Sequence, residues 1–379
     1  MNDVHGRVLS VADGGVTLLR PGGVVAFMEM DPGAARPGDL VVGRAGPGGV
    51  VALEVVWRHP TGEFPAPGSD AARLAAPRRW ELLRRRAELL AATRTHFRAD
   101  GFLEVETPLL VPSAGTEVHL DPVRVELAEG PGEDRAVRWL ITSPEHHMKR
   151  LLAAGAPAIF NVGKVFREGE RGRHHRAEFT MIEWYRPFSG YEAIMDDCER
   201  WVAALAGGRR EIVFRGRVLD LTPPWPRLRF YDLLRERAGL TRPEELDPEA
   251  QMAAFVDHVE PTLGHERPDF LVEWPIAMAS LARPKPGDAR VAERFELFAG
   301  GLELGNAFGE LTDAAEQRRR CEADNAERRE AGRPEMPLDE AFLAALAEGM
   351  PPSAGIAVGF DRVAMLLLDA ATIDEVVAF

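Results

Sequence analysis

Cationic and imidazole side chains are concentrated in residues 167–176. They are Arg167, Arg171, Arg173, His174, His175 and Arg176. Because the whole chain carries a formal net charge of -14, such a local cationic cluster needs an anionic partner. A phosphate-rich ligand is the natural candidate, since arginine pairs with phosphate oxygens through several N–H donors at once. The alternative is a solvated hairpin tip without any ligand.

The segment after this loop, EFTMIEWYRP, alternates in the manner of a β-strand. Side chains at every second position share one face of a strand. One face carries Phe179, Met181, Glu183 and Tyr185. An aromatic ring, a carboxylate and a phenol are therefore expected beside the cationic loop. The loop and its two flanking strands form the first candidate site.

Two carboxylates, Glu296 and Glu303, flank a Gly300-Gly301 pair, which is a strong signal for a two-residue hairpin turn. In that register Phe298 faces Glu303. Glu296 then faces Gly305, so that both carboxylates lie on one face, diagonal to each other. They would repel unless a cation lay between them, and Mg²⁺ prefers such oxygen ligands together with phosphates and waters. The alternative is a solvent-facing charged strand.

Three further signals are weaker by themselves. Glu310 follows the second hairpin strand and could pair with a substrate ammonium. Arg362 begins an apolar helix after the glycine-spaced strand GIAVG, where a ligand can approach the backbone. The pairs His146-His147 and His174-His175 lack zinc-ligand spacing and nearby cysteines, so we expect no structural zinc site.

The elements that position these residues divide the chain into three parts. Residues 1–62 read as five short strands separated by turn signals, typical of a small barrel of the OB or SH3 kind. Residues 63–77 are rich in Pro, Gly and Ala and form a linker. Residues 78–379 form the catalytic domain, with a first helix over 78–99 and a strand over 102–110. Pairs of strands with helices between them predict an α+β fold, an antiparallel sheet flanked by helices.

Further elements follow from periodicity and turn residues. The predicted strands and helices are 139–143 (strand), 144–154 (helix), 191–206 (helix), 247–259 (helical insertion), 294–299 and 302–308 (strands), 313–332 (helix) and 355–370 (strand, then helix).

Composition restricts the class of protein. The chain has 379 residues, of which 45% are hydrophobic, but no run approaches the roughly 18 apolar residues of a membrane helix. The N-terminal sequence does not resemble a signal peptide. Its two cysteines, Cys198 and Cys321, cannot form a disulfide framework. We expect a cytoplasmic protein without a membrane partner.

Three segments, taken in order, resemble motifs 1, 2 and 3 of the class II aminoacyl-tRNA synthetases. They are the helix and strand that end at Pro108, the FR…HHRAEF hairpin and GIAVGFDR. The lysyl branch fits best, because TSPEHHMKRLL, EFTMIEWYRP and LELGNAFGELTDAAEQ look like its substrate-pocket segments. The resemblance covers residues 75–379 and implies the class II catalytic core.

Within that branch the chain resembles the elongation factor P–lysine ligases more than the lysyl-tRNA synthetases. EWYRP, RVAERFE and EGMPPSAGIAVGFDR carry this resemblance. The synthetases have glycine where Ala357 stands, and a methyl group there is worth on the order of 1–3 kcal/mol, enough to select between isomers. Gly305, by contrast, is shared with the lysyl-tRNA synthetases and favours that assignment.

The resemblance implies ATP-dependent activation of (R)-β-lysine or lysine as an aminoacyl-adenylate, with transfer to a lysine of elongation factor P. Two alternatives stay open: a truncated lysyl-tRNA synthetase that charges tRNA, and a catalytically silent regulatory paralogue. The implied cofactors are ATP and Mg²⁺. The implied partners are lysine or β-lysine, elongation factor P and a second copy of the chain in a homodimer, with tRNA not expected.

The resemblance also implies a role for each candidate residue. Arg167 contacts the α-phosphate and Arg362 the γ-phosphate, and with Glu303 they form the catalytic set. The other nucleotide-binding residues are Glu170, His175, Phe179 (stacked on adenine) and Gly359, while Glu296 and Glu303 hold the metal. The substrate pocket consists of Ser143, Glu145, Glu183, Tyr185, Asn306, Glu310 and Ala357, with Tyr185 and Glu310 on the side-chain ammonium. Whether Glu168 or Glu170 meets the adenine is open.

Overall fold

The structure is a computed structural model that describes residues 3–12, 15–20, 23–28, 35–46, 49–76, 78–128, 130 and 134–379. The chain divides into two compact units, Met1–Leu89 with Asp374–Phe379, and Leu90–Ile373.

The first unit contains a five-stranded antiparallel sheet. Its strands are β1 (Asp3–Ala12), β2 (Gly15–Arg20), β3 (Gly23–Met28), β4 (Leu40–Gly46) and β5 (Gly49–Trp57). Their order is β3-β2-β1-β4-β5. Val8, Leu18 and Val41 are fully buried in its core. Five strands thus occur where five were predicted, and closure of the sheet into a barrel stays a prediction.

Two helices begin in the region after this sheet. The predicted linker contains a short helix, α1 (Asp70–Leu74), whose N-cap Ser69 accepts a hydrogen bond from the backbone N–H of Ala72. Helix α2 (Arg79–Ala99) agrees with the predicted helix over 78–99. Gly101 follows that helix with φ 83°, a left-handed conformation that glycine adopts without a steric penalty.

The second unit is built on an eight-stranded sheet in the order β14-β15-β18-β19-β20-β11-β10-β6. These strands are β6 (Leu103–Glu104), β10 (Ile159–Phe166), β11 (Glu178–Pro187), β14 (Arg227–Arg229), β15 (Asp269–Val272), β18 (Arg294–Ala299), β19 (Leu302–Gly309) and β20 (Ser353–Gly359). Strand β14 pairs in parallel with β15, and β10 with β6. All other neighbours are antiparallel, which confirms the antiparallel-rich sheet.

The chain also contains smaller sheets and further helices. The remaining strands are β7 (Leu110–Val111), β8 (Arg124–Ala128), β9 (Arg135–Leu140), β12 (Glu211–Phe214), β13 (Arg217–Asp220), β16 (Pro284–Lys285) and β17 (Asp288–Ala292). The remaining helices are α3 (Glu145–Ala153), α4 (Tyr191–Leu205), α5 (Phe230–Arg237), α6 (Pro248–Ala254), α7 (Ala314–Glu330), α8 (Glu340–Gly349), α9 (Phe360–Leu368) and α10 (Ile373–Val376).

The two faces of β11 have different roles, as the alternation predicted. Trp184 is fully buried, with ring centroids 4.9 Å from Phe97 of α2 and 5.6 Å from Trp201 of α4. Such aromatic contacts contribute beyond the buried area. Because one face is fixed in this core, the opposite face of β11, which carries the predicted site residues Glu183 and Tyr185, is held in place.

Two predicted elements differ from the structure. The strand predicted over 102–110 is reduced to β6 and β7, because Pro108 has no N–H for a ladder. The strand predicted over 139–143 begins earlier, at Arg135. The hairpin of β12 and β13 and the helix α8 were not predicted. Among the described helices, none has both the length and the apolarity needed to cross a membrane.

Candidate active site

Four predicted site residues lie in one row across the large sheet. Glu183 on β11 pairs with Ala357 on β20, Ala357 pairs with Asn306 on β19, and Asn306 pairs with Glu296 on β18. Directly paired residues share a face of the sheet. Three strand spacings, roughly 14 Å, separate the two ends of the row. The predicted substrate pocket and the predicted metal ligands therefore lie on the same face.

The cationic loop lies between β10 and β11, next to the ring predicted to stack on adenine. The guanidinium carbon of Arg167 is 5.2 Å from the centroid of the Phe179 ring. Its Nη1 lies 3.5 Å from Glu170 Oε1, whereas Glu168 is exposed and its backbone N–H donates to Asp121 O. Of the two candidate glutamates, Glu170 is the one that contacts Arg167.

Arg362, in the first turn of α9, joins this loop to the β18–β19 hairpin, which carries the predicted metal ligands. Its Nη1 donates to the carbonyl of Glu303 over 2.6 Å, and its Nη2 contacts His175 Nε2. Partial burial and then the Arg362 charge lower the pKa of His175. A neutral imidazole can accept this hydrogen bond, and Arg362 Nη1 also lies 3.8 Å from Glu303 Oε2.

The β18–β19 hairpin has a register that differs from the predicted one. Phe298 faces Glu303 as expected, but Leu304 is an extra residue in β19, and Glu296 lies opposite Asn306 instead of Gly305. Such a β-bulge shifts all following residues by one position. Glu296 and Glu303 still share a face, and the bulge adds Asn306 to it.

The two carboxylates of this hairpin suit a divalent cation with open coordination positions. Burial and then the charge of Glu303 raise the pKa of Glu296 to about 8, so a cation would stabilise its ionised form. Over the described ranges, no set of three His, Cys, Asp or Glu side chains is arranged to bind a metal. Mg²⁺ is commonly held by one or two carboxylates, with phosphates and waters completing its shell, and Glu296 and Glu303 fit that role.

Arg294 is an internal counter-ion of this hairpin. Its Nη2 lies 2.6 Å from Glu296 Oε1, and its Nε donates to Asn306 Oδ1 over 3.2 Å. The guanidinium also lies over the Trp274 ring, 4.3 Å from its centroid. Sequence reasoning missed Arg294, although its position two residues before Glu296 on one strand face was a usable signal.

At the other end of the row, Glu183 is almost fully buried. Ser143 Oγ donates to its Oε2 over 2.7 Å, and Tyr185 OH donates to its Oε1 over 2.6 Å. Burial and then the neighbouring Glu145 raise the pKa of Glu183 to about 8. The contacts of this carboxylate are thus hydroxyl donors, which leaves it able to gain by pairing with a cation.

Lys149, on α3, was not predicted as a site residue, and it links two that were. Its Nζ lies 2.5 Å from Glu145 Oε1 and also forms an ion pair with Glu310 Oε2. Burial by itself would lower the pKa of Lys149, but Glu145 and Glu310 more than offset this and raise it. Lys149 follows Glu145 by four residues, a helical ion-pair spacing that could have revealed it.

Glu310 was predicted to bind the substrate's side-chain ammonium, and one of its oxygens is already engaged. Oε2 pairs with Lys149, whereas Oε1 has no hydrogen-bond donor in the described part of the chain. Burial, opposed by Lys149, raises the pKa of Glu310 to about 8. A buried oxygen without a donor is costly, so Oε1 suits a bound ammonium.

A glycine keeps this pocket in shape. A Cβ on Gly355 would lie 2.2 Å from Cδ1 of Tyr185, so the phenol ring packs directly on the β20 backbone. Beside it, a depression is lined by Ser113, Ala114, Glu117, Ile141, Thr142, Ser143, Glu145, His146 and His147. Glu117, which was not predicted, has its pKa raised by burial and adds a further carboxyl to this side.

The chain was compared with known proteins. Residues 70–379 match the family model for tRNA synthetases class II (D, K and N).

Several curated proteins are similar over nearly their full length. A protein of Proteus mirabilis is 41% identical over 309 residues, covering 78% of this chain and 94% of that protein. One from Klebsiella pneumoniae is 42% identical over 307 residues, and one from Haemophilus influenzae is 39% identical over 317, with the same coverage. Each of the three is named elongation factor P--(R)-beta-lysine ligase.

Proposed function

The chain belongs to the class II tRNA synthetases of the D, K and N group, and on that premise we propose that it activates (R)-β-lysine or lysine with ATP and transfers the acyl group to a lysine of elongation factor P. That family consists of ligases, and the similar proteins are named as ligases. The chain is therefore a ligase, and the proposal concerns its substrates and its chemical steps.

The charge of the pocket is the observation that carries the proposal. Glu145 and Glu310 contact the Lys149 ammonium, and Glu183 interacts electrostatically with Glu145 and Lys149. When all three carboxyls ionise, the group has an excess of two negative charges, and burial makes such an excess expensive. A diamino acid brings two ammonium groups and neutralises it.

In the first proposed step, a carboxylate oxygen of the amino acid attacks the α-phosphorus of ATP. An O–P bond forms, the bond between the α-phosphorus and the bridging oxygen breaks, and pyrophosphate leaves with the electron pair. Arg167 stabilises charge on the α-phosphate and Arg362 on the γ-phosphate, while Phe179 holds the adenine. Glu296 and Glu303 would hold Mg²⁺, which when bound neutralises phosphate charge. No protein nucleophile is required.

In the second proposed step, the amine of the acceptor lysine attacks the acyl carbon. A C–N bond forms, the bond from the acyl carbon to the phosphate oxygen breaks, AMP leaves, and the amine loses a proton to solvent. Selection between isomers is assigned to Ala357, which stands in the row between Glu183 and Asn306. Its methyl group changes the floor of the pocket near the substrate amino group, whose position differs between lysine and (R)-β-lysine.

The proposal is tested by pyrophosphate exchange with each of the two lysine isomers, followed by transfer of labelled acyl group to elongation factor P and to tRNA. We expect exchange, with a preference for (R)-β-lysine, and transfer to elongation factor P. Efficient charging of tRNA would identify a lysyl-tRNA synthetase instead. Absence of exchange with both isomers would identify a silent paralogue.

The metal assignment makes a separate prediction. Changing Glu303→Gln should reduce pyrophosphate exchange to background, because Mg²⁺ loses one charged carboxylate ligand. The melting temperature should stay the same, since the Glu303 side chain is 42% exposed. The exposed Glu348→Gln on α8 is the matched control. Normal exchange in Glu303→Gln would remove this residue from the metal site.

We further propose a cytoplasmic homodimer. Leu103 in β6, Leu110 in β7 and the adjacent Leu109 expose 38–51% of their surface, and a second copy of the chain would cover them. Light scattering after gel filtration should give twice the mass of one chain, and a monomer at micromolar concentration would contradict this.

A further inference from the structure

The turn between β12 and β13 has a backbone that its sequence disfavours. Arg215 has φ 51° and Gly216 has φ 76°, so both central residues are left-handed. Hairpin turns of this kind favour Asn-Gly, because asparagine and glycine tolerate that region and arginine does not. A disfavoured conformation persists where surrounding contacts hold it, often at functional sites.

The contacts of Arg215 explain why this conformation is kept. Its backbone N–H donates to Asp369 Oδ1 over 2.8 Å, and its Nη2 donates to the carbonyl of Ala371 over 2.9 Å. The same Nη2 contacts Nε2 of His174 in the cationic loop. Arg215 therefore joins the segment after α9 to the loop predicted to bind the triphosphate.

A second contact fastens the same loop to the same segment. The backbone N–H of Ile373 donates to the carbonyl of Arg173 over 2.9 Å. On its inner side, the loop accepts a hydrogen bond at the His174 carbonyl from Arg362 Nε over 3.4 Å. The conformation of His174 thus affects both Arg362 and its neighbour His175.

The charge state of His174 is compatible with this bond. Burial, and then Arg215 and Arg362, lower the pKa of His174, with smaller contributions from His175 and Arg173. A neutral imidazole presents Nε2 as an acceptor, and the guanidinium is always a donor. The contact is therefore a charge-assisted hydrogen bond rather than a repulsive pair.

We propose that Arg215 is a positioning residue, which acts through His174 to hold the loop of residues 167–176 in the conformation that binds the ATP triphosphate. This inference rests on the proposed function, since it assigns a role to a contact of the same nucleotide site. Arg215 itself is not expected to touch ATP.

The decisive variant is Arg215→Asn. Asparagine suits the left-handed turn better than arginine, so the melting temperature should stay the same or rise. The contact with His174 is lost, and the affinity for a non-hydrolysable ATP analogue, measured by calorimetry with Mg²⁺, should fall about tenfold. Affinity for lysine or β-lysine in the absence of nucleotide should not change. A purely structural role would instead lower the melting temperature and both affinities.

Two further variants sharpen the comparison. Arg217→Asn removes the same charge from the same hairpin, but Arg217 contacts His265 Nδ1 at 3.3 Å instead of the loop, so ATP affinity should be unchanged. Arg215→Lys keeps a cationic donor and should recover part of the lost affinity. In pyrophosphate exchange, Arg215→Asn should raise KM for ATP while kcat changes less than twofold.

Hydrogen exchange reports on the loop without any ligand. The backbone N–H of Gly172 donates to the His175 carbonyl over 3.0 Å. Its exchange should become faster in Arg215→Asn but not in Arg217→Asn. If Arg215→Asn binds ATP as tightly as the wild-type protein and its Gly172 exchange is unchanged, the inference is overturned, whereas the proposed function is not. Failure of the wild-type protein to bind ATP would overturn the proposed function, and this inference with it.

Discussion

Lys149 is a buried charge that contacts two predicted site residues. Its side chain is fully buried, and its ammonium lies between Glu145 and Glu310, two of the predicted substrate ligands. Its ammonium contacts both carboxyl groups and holds them in place. In the proposed function, the substrate supplies positive charge beside Glu183 and Glu310 Oε1.

Changing Lys149→Met should destabilise the fold strongly. Removing one partner of a buried ion pair leaves uncompensated carboxylates, so we expect the free energy of unfolding to fall by about 3–5 kcal/mol. Urea unfolding followed by fluorescence measures this. The control is Lys164→Met, whose exposed partner Glu178 lies 3.3 Å away and which should cost less than about 1 kcal/mol. Equal effects of the two changes would contradict the role of Lys149.

Glu183 should make substrate binding release a proton. Its pKa in the folded protein, about 8, is above its ordinary value of 4.5, so the carboxyl is mostly protonated at about pH 7. A bound ammonium lowers that pKa, and the proton leaves to the buffer. Calorimetry in two buffers of different ionisation enthalpy should detect this release near neutral pH, and it should vanish above about pH 9.

The raised pKa of Glu183 also makes the stability of the fold depend on pH. Because the folded state holds this proton more tightly than the unfolded state, the contribution of Glu183 to stability decreases as the pH rises from 4.5 to about 8. The Glu183→Gln variant should show neither effect. Proton release that persists unchanged in that variant would assign it to another group.

At the scale of elements, the pocket depends on strand pairing. Tyr185 on β11 pairs with Gly355 on β20, and the phenol ring occupies the space where a side chain on Gly355 would be. The hydroxyl is thereby held 2.6 Å from Glu183 Oε1. Gly355 on β20 thus decides the position of a side chain that is predicted to bind the substrate.

Changing Gly355→Ala should displace Tyr185. The new Cβ would lie 2.2 Å from Tyr185 Cδ1 and 2.9 Å from the Trp184 carbonyl, an overpacking that costs about 1–3 kcal/mol. KM for the amino acid should rise more than KM for ATP in pyrophosphate exchange. Tyr185→Phe, which removes only the hydroxyl, should share the KM effect but keep the melting temperature. Equal changes in both KM values would argue against local displacement.

Local patterns predicted many of the elements around the site. Alternation in residues 178–187 gave a strand with the correct faces, and Gly300-Gly301 gave a hairpin turn where the structure has one. The bulge at Leu304 left no signal in the hydrophobic pattern, since it depends on how β19 pairs with β18. The β12–β13 turn escaped prediction because Arg-Gly is not a typical sequence for its backbone.

At the scale of the whole molecule, the family match begins at residue 70, so the five-stranded sheet lies outside it. The similar proteins are covered over 94% of their length by 78% of this chain. The chemistry assigned above uses residues 143–362 alone. The N-terminal sheet is therefore not expected to contribute groups to amino-acid activation.

Deleting residues 1–62 should leave pyrophosphate exchange within about twofold of the full chain, because no proposed catalytic group is removed. The measurement compares kcat and both KM values for the two proteins, with circular dichroism as a check on folding. Loss of exchange in a folded deletion variant would show that the sheet takes part in activation. Loss of transfer to elongation factor P alone would assign the sheet to acceptor binding.

The sequence by itself determined which chemical groups this protein has. The arginines around residue 167, the paired glutamates of the hairpin and the acidic strand face are local features, visible in residue types and spacing. Their mutual arrangement was decided by tertiary structure. One extra residue at Leu304 brings Asn306 to the face of Glu296, and the pairing of α3 with Glu310 places Lys149 between two carboxylates. Such contacts join residues far apart in the chain, and local periodicity contains no information about them.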